Sequence, residues 1–466
     1  MQSMATERRP LRGGTVQFCG PTSWPASSPF KLAFTCHIEK SRDRGYLSSL
    51  EPRDLERRAG MVLGKIGRTL RREGVSGLWA RLRHPERSGG PAAVTPPQRP
   101  PFRLIGQDPV LTGRVAAALQ RCLGQGGLTW AGSGAGSGDA ATIRIIGPVD
   151  PHDIRPGEIL LFPDAATALK LVGGTRAPDL ALCGAVLLPD AALLKPFRDA
   201  GLGEGRLFVL PSLGDPARTG LAGDLLRWLI AAGALDPGTI DPALFPVLET
   251  LTPHSRLCLS LPESPDRRAS FLSHELREFF IFDGLRLKPG WQGAGWSHAT
   301  IARAALARNA VPLLVCEDDM TPSADFAARL ASVEAYLADA DWDMFSGLLT
   351  SIPEDCRVHH VETRDGLTFV HLDYATGMVL NIYRSRALER LAAWQPGGGH
   401  PETDTVDAWL SRLPGLRAIT TIPFLAGHDT AAVSTVFGFA NRRYDSLIRA
   451  SEQRLNRLAT EWLKRL

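Results

Sequence analysis

The densest chemistry in the sequence is the run Glu317-Asp318-Asp319, three consecutive carboxylates after the apolar stretch Val311-Pro312-Leu313-Leu314-Val315-Cys316. Like charges this close repel one another unless a cation or a cationic side chain compensates them. Oxygen ligands with no His or Cys beside them favour Mg²⁺ or Mn²⁺, ions that take one or two protein carboxylates together with phosphate oxygens. The run therefore points to a metal and diphosphate site. The plainer alternative is an acidic turn capping a helix at 323–337. A second polar cluster, Pro262-Glu263-Ser264-Pro265-Asp266-Arg267-Arg268, follows the apolar run from Arg256 to Leu261. Between a strand and a helix, backbone N–H groups and guanidinium forks can converge on an anion; a solvated, capped helix start accounts for the same residues.

The elements around these groups decide where they stand. The run 311–316 reads as a buried strand, which puts the three acids at its C-terminal edge, where ligands bind in α/β sheets. The preceding Ala-rich stretch reads as a helix from Ser297, or the turn before it, to about Asn309. After the strand at 256–261, a helix is expected through Phe271, His274, Leu276 and Phe279. Between 102 and about 236, candidate strands at 142–147, 158–163, 185–189 and 206–211 alternate with helices at 165–172, 191–200 and 221–234, which argues for a parallel α/β sheet. The glycines of WAGSGAGSGDAA precede a strand instead of joining a strand to a helix, so they fail the context of a phosphate loop. This region receives no chemistry.

At 466 residues the chain has room for two or three domains. It is 44% hydrophobic and 22% charged, the composition of an ordinary globular protein. A formal net charge of +4 is too mild to imply nucleic acid, and no binding module for it is recognisable. The seven cysteines form no metal spacing and read as reduced, mostly buried thiols. Neither a membrane-spanning run nor a signal peptide is evident, so a cytoplasmic protein is expected. Residues 1–60 lack periodicity, and Met61 opens what looks like a second beginning; the segment is a leader or an over-extended reading frame. A basic helix at 61–84 and a Pro-rich linker at 88–101 come next. Both this helix and the last 26 residues, with Arg and Lys around a stripe of Ile448, Leu455, Leu458, Trp462 and Leu466, suit a core-facing helix or a contact with an anionic membrane surface.

The order of SLPESPDRR, Phe282-Asp283-Gly284, GAGWSHATIARAALARNAVPLLVCEDD, Asp341-Trp342-Asp343, ATGMVLNIYRSRALERL, ETDTVDAWL and IPFLAGHD over about 255–437 resembles glycosyltransferase family 25, which includes bacterial lipopolysaccharide-type hexosyltransferases. The resemblance implies an α/β architecture with a GT-A-like nucleotide-diphospho-sugar transferase domain at 251–440. A smaller parallel α/β domain at 102–250 would precede it and a basic helix at 441–466 would follow. It further implies a nucleotide-sugar donor such as UDP-hexose, a glycan or glycolipid acceptor, Mn²⁺ or Mg²⁺, and inversion at the anomeric carbon. Carried over by position, Glu317 and Asp319 belong to the metal; His428, in the stretch AGHD, is a candidate to complete its shell, although a lone His more often serves structure. Asp318, Asp266, Arg267, Arg268, Asp283, Ser297 and His298 belong to the donor side, although His298 also suits plain packing. Ser260 stands where the family has Asn, and Trp296 where it has a smaller residue. The acceptor hydroxyl needs a general base, and carboxylates serve that role. Asp404 and Asp407 are the candidates, Asp407 preferred, with Asp404 alternatively a helix N-cap. Two other readings fit a transferase-like sequence: a non-catalytic scaffold in polysaccharide assembly and a nucleotide-sugar hydrolase.

Overall fold

A computed structural model describes residues 102–465, apart from 125–127, 131–140, 147–153, 175–176, 216–219, 275 and 398. The leader, the basic helix at 61–84, the linker at 88–101, the glycine stretch at 131–140 and Leu466 lie outside the described residues. The alternating pattern after 102 forms a six-stranded parallel sheet. Its strands are β1 (Phe102–Ile105), β2 (Leu128–Trp130), β3 (Ala141–Ile145), β4 (Ile159–Leu161), β5 (Ala185–Leu188) and β6 (Leu207–Val209), in the order β2-β1-β3-β4-β5-β6. Every residue of β4, β5 and β6 is buried, as expected of parallel strands covered on both faces.

Four helices accompany this sheet: α1 (Pro109–Leu123), α2 (Ala165–Val172), α3 (Leu194–Asp199) and α4 (Leu221–Ala231). Asp108 and Asp164 cap the first two by accepting from backbone N–H groups of the first turn. Helix α4 is buried from Leu221 to Ile230, Asp224 and Arg227 included, so it has no solvent face along that length.

Beyond α5 (Pro246–Glu249) the chain enters an eight-stranded mixed sheet. Here β7 (Arg256–Ser260), α6 (Pro265–Ser273), β8 (Phe279–Asp283), α7 (Gly290–Ala307) and β9 (Leu313–Glu317) wind a parallel unit with β7 in the middle. Next come β10 (Met320–Pro322), α8 (Phe326–Asp339), β11 (Met344–Ser346), the hairpin β12 (Val358–Arg364) and β13 (Leu367–Leu372), and β14 (Leu380–Tyr383). The chain closes with α9 (Ser385–Ala392), α10 (Pro401–Asp404), α11 (Val406–Leu410), β15 (Ala418–Ile422), β16 (Ala426–His428) and α12 (Asp445–Leu463). The strand order is β12-β13-β15-β11-β14-β9-β7-β8, with β14 antiparallel to both its neighbours. The two sheets share an apolar core that runs from Trp228 and Leu229 to Leu257, Phe282 and Trp296, and Phe245 meets Phe282 edge to face at 5.2 Å across their junction.

Two expected helices have different limits. The one after β7 stops at Ser273, because the aromatic run Phe279-Phe280-Ile281-Phe282 pairs with β7 as a strand. The Ala-rich helix begins at Gly290, well before Ser297. Its glycines mark close approach: a Cβ at Gly293 would overlap the backbone of Leu285, and one at Gly295 would overlap the Trp394 ring. The C-terminal helix α12 turns Leu455 and Ala459 inward, the core-facing arrangement. Among the described residues no helix is long and apolar enough to cross a membrane.

The Trp394 ring meets Trp291 and Trp296 edge to face at 6.2 and 5.4 Å, so it has little room to yield. Gly295→Ala should therefore destabilise the protein by about 1–3 kcal/mol through overpacking. Thermal unfolding should show a Tm several degrees lower, whereas Gly113→Ala, open to solvent on α1, should leave Tm unchanged or raised. Equal Tm values for the two variants would refute the packing described.

Candidate functional site

Strand β9 delivers Glu317 to the sheet edge, and the chain turns at once so that Asp318 N donates to Leu259 O beside the end of β7. The acids then diverge. Asp318 Oδ2 accepts from Ser260 Oγ at 2.8 Å, and Asp318 Oδ1 lies 2.5 Å from Arg267 Nη2. The same nitrogen is 3.0 Å from Asp319 Oδ2, which also accepts from Asn441 Nδ2 at 2.7 Å. Burial opposes the charge on Arg267, but Asp319, Asp318 and Glu317 outweigh it and hold the guanidinium above its usual range. Burial pushes the Asp318 carboxyl up against the opposing pull of Arg267 and Ser260. Glu317 is pushed up to about 8 by burial and by the charge of Asp319, with Arg267 opposing and Asp318 and Asp407 adding to the push.

Four of these groups border a small cleft that is open to solvent. Ser260, Arg267, Glu317 and Asp318 form its polar edge; Leu261, Leu285, Leu287 and Val436 supply an apolar wall, and the charged Arg286 also lines the cleft. Arg268 stands behind that edge, donating from Nε to Ser260 Oγ and pairing with Asp283 Oδ1 at 2.5 Å. Ser297 borders the cleft, yet its hydroxyl is engaged within the fold, donating to Gly293 O and accepting from Leu285 N. Two donor-side candidates lie elsewhere. Asp266 is exposed in the first turn of α6 and does not line the cleft. His298 is buried, and burial lowers it to about 4, so it is a neutral packing group.

The expected set Glu317, Asp319 and His428 is not assembled as a metal-ligand triad. His428 Nε2 lies 3.2 Å from Asn441 O and 3.4 Å from Asp445 Oδ1, so Asn441 stands between it and Asp319. Among the described residues no group of three His, Cys, Asp or Glu side chains is arranged to hold a metal ion. Two oxygen donors remain suited to a cation: Glu317, which lines the cleft, and Asp319 Oδ1, which is buried and accepts no hydrogen bond.

Asp404 and Asp407 do not share a helix face. The chain breaks at Thr405, ending α10 and starting α11. Asp404 reaches back to accept from His400 N at 2.9 Å and from Thr403 Oγ1, so its carboxylate fixes the start of its own short helix. Asp407 accepts from Gly377 N at 3.3 Å and from its neighbour Ala408 N, and its charge reaches Glu317. Asp404 thus serves capping, while Asp407 bonds only to backbone N–H groups and is not among the residues lining the cleft.

Compared with models of protein families and with curated proteins, the chain matches none of them. Sequence reasoning missed Asn441, which bridges Asp319 and His428. It also missed the role of Arg227, although a charge inside the apolar run 221–235 is a visible signal of a buried pair.

Removing the Arg267 charge should leave Asp318 and Asp319 uncompensated in a buried setting. Arg267→Met is expected to cost about 3–5 kcal/mol. Adding Asp318→Asn should return part of that loss, and chemical denaturation of the four-member cycle measures it. Strict additivity of the two changes would show that the pair is not coupled.

Proposed function

We propose that this protein is a glycosyltransferase that moves a hexose of galactose or glucose type from a nucleotide sugar, UDP-hexose foremost, to a hydroxyl of a surface polysaccharide or lipopolysaccharide acceptor. The observation that carries the reading is the cleft at the C-terminal ends of β7 and β9, where a polar edge of acids and Arg267 faces an apolar wall. Such an edge suits a diphosphate and such a wall suits a nucleoside. A parallel unit followed by the antiparallel β14 is compatible with a GT-A-like donor domain, and the ordered motifs over 255–437 resemble family 25.

Glu317 and Asp319 would hold one Mn²⁺ or Mg²⁺, with diphosphate oxygens filling the remaining positions. Bound there, the ion would neutralise charge developing on the departing nucleoside diphosphate. Asp318 is held by Ser260 and Arg267, which keeps the carboxylates apart and oriented. Asp407 takes the proton of the acceptor hydroxyl as that oxygen bonds to the anomeric carbon. The carbon–oxygen bond to the diphosphate breaks on the opposite face, and the configuration inverts. The basic exposed residues around α12, Arg442, Arg443 and Arg449 among them, suit peripheral contact with anionic lipid beside a membrane-bound acceptor.

Thermal unfolding in the presence of UDP-, GDP-, CMP- and dTDP-sugars tests the donor reading. A UDP-hexose together with Mn²⁺ should raise Tm by mass action, and an unchanged Tm with all of them would sink it. Asp407→Asn should keep that Tm shift while transfer falls by a factor on the order of 10²–10⁴. Transfer at the wild-type rate would remove Asp407 from the role of base.

A further inference from the structure

We infer that the six-stranded sheet is a working part of the donor cleft, and that Arg227 on α4 is the positioning residue through which it holds the nucleoside wall. This rests on the donor reading of the cleft. Arg227 and Asp224 are each 4% exposed in a helix whose other buried residues are apolar or glycine. A buried guanidinium is costly, and an apolar side chain of similar volume would pack the helix at least as well. Packing alone therefore does not explain an arginine at this position.

Its hydrogen bonds give the explanation. Arg227 Nε donates to Gly284 O at 2.8 Å, and Nη2 donates to Glu263 Oε2 at 3.1 Å. Glu263 Oε1 in turn accepts from Val209 N at 3.1 Å, at the end of β6. Burial works against the Arg227 charge, and Glu263, Asp283 and Asp224 outweigh it. Glu263 belongs to the loop after β7 and Gly284 to the loop after β8. These same two loops give the cleft Leu261, Gly284, Leu285, Arg286 and Leu287. Arg286 also lies over the Phe208 ring of β6, 4.1 Å from its centroid.

One arginine from the first sheet thus ties both wall-forming loops to the end of β6. From the other side, Ser297 Oγ accepts from Leu285 N and holds the second loop against α7. A binding wall must be placed to within about half an ångström to be productive, and its supporting residues do that placing. Arg227 touches neither the acids nor Asp407 by any hydrogen bond, so its effect falls on nucleoside affinity and not on the chemical step.

The test uses the full chain with Arg227→Lys, which keeps a cation near Glu263 but loses the fork that reaches Gly284 O. Arg144→Lys is the control, since Arg144 pairs with Glu158 in the same sheet without touching either loop. Calorimetric titration with UDP and Mn²⁺ should show at least tenfold weaker binding for Arg227→Lys. Its donor KM should rise similarly, with kcat within about threefold of wild type, and Arg144→Lys should change neither. Amide hydrogen exchange without ligand should quicken across 284–287 in Arg227→Lys and not in Arg144→Lys. If Arg227→Lys does not fold, the charge-free double variant Arg227→Met with Glu263→Gln replaces it, with the same expectations. Wild-type affinity for UDP in the folded variant, or unchanged exchange across 284–287, would overturn the inference. A wild-type protein that binds no nucleotide would instead reject the donor reading, while the exchange comparison would still decide whether Arg227 holds the loop.

Discussion

Three carboxylates at the end of one buried strand repel each other, and the site is organised around how that repulsion is relieved. Arg267 supplies the counter-charge by lying against Asp318 and Asp319, with Ser260 and Asn441 each donating one further hydrogen bond. Its own placement depends on the helix after β7, and Asn441 comes from the far end of the chain. The cluster therefore forces segments more than a hundred residues apart to meet at one sheet edge. Glu317 is left outside this arrangement, facing the cleft with its carboxyl pushed up to about 8. The relief is incomplete at Glu317, which borders the cleft.

Strands β3 to β7 and β9 were legible in the sequence because each is a short apolar run bounded by polar turns, and β9 carried its acids at the position expected for a ligand edge; β8 read instead as the end of a helix, and β12, with its His, Glu and Arg, offers no apolar run. Helix limits were less legible. A glycine in a helical pattern ordinarily signals a break, and only the approach of Leu285 and Trp394 explains why Gly293 and Gly295 lie inside one. Arg267 and Asp318 were identifiable by type and neighbourhood. Asp404 and Asp407 were not distinguishable by spacing, since the helix break at Thr405 and the return of Asp404 to His400 are local backbone choices. The partners of His428 lie 13 and 17 residues further along the chain, where no spacing rule looks for them.

The six-stranded sheet illustrates a different limit. Its own residues offer no motif, because its contribution is a set of hydrogen bonds to the other sheet's loops. Arg227 is visible in the sequence as a misplaced charge in an apolar helix, but its meaning depends on Gly284 and Glu263, which are ordinary residues until the two sheets share a core.

Arg227 and Arg267 divide the cleft between them. Arg267 is held among acids at the polar edge, where a change in charge alters what the site can compensate. Arg227 stands behind the apolar wall, where a change in geometry alters what the wall can fit. Both guanidiniums are held by carboxylates above their usual range, so neither switches its charge near neutral pH. At this edge burial first, and then the charge of Asp319, push the Glu317 carboxyl up, with Arg267 opposing; burial pushes Asp318 up as well. Electrostatic compensation and loop placement thus rest on different residues, Arg267 on α6 and Arg227 on α4.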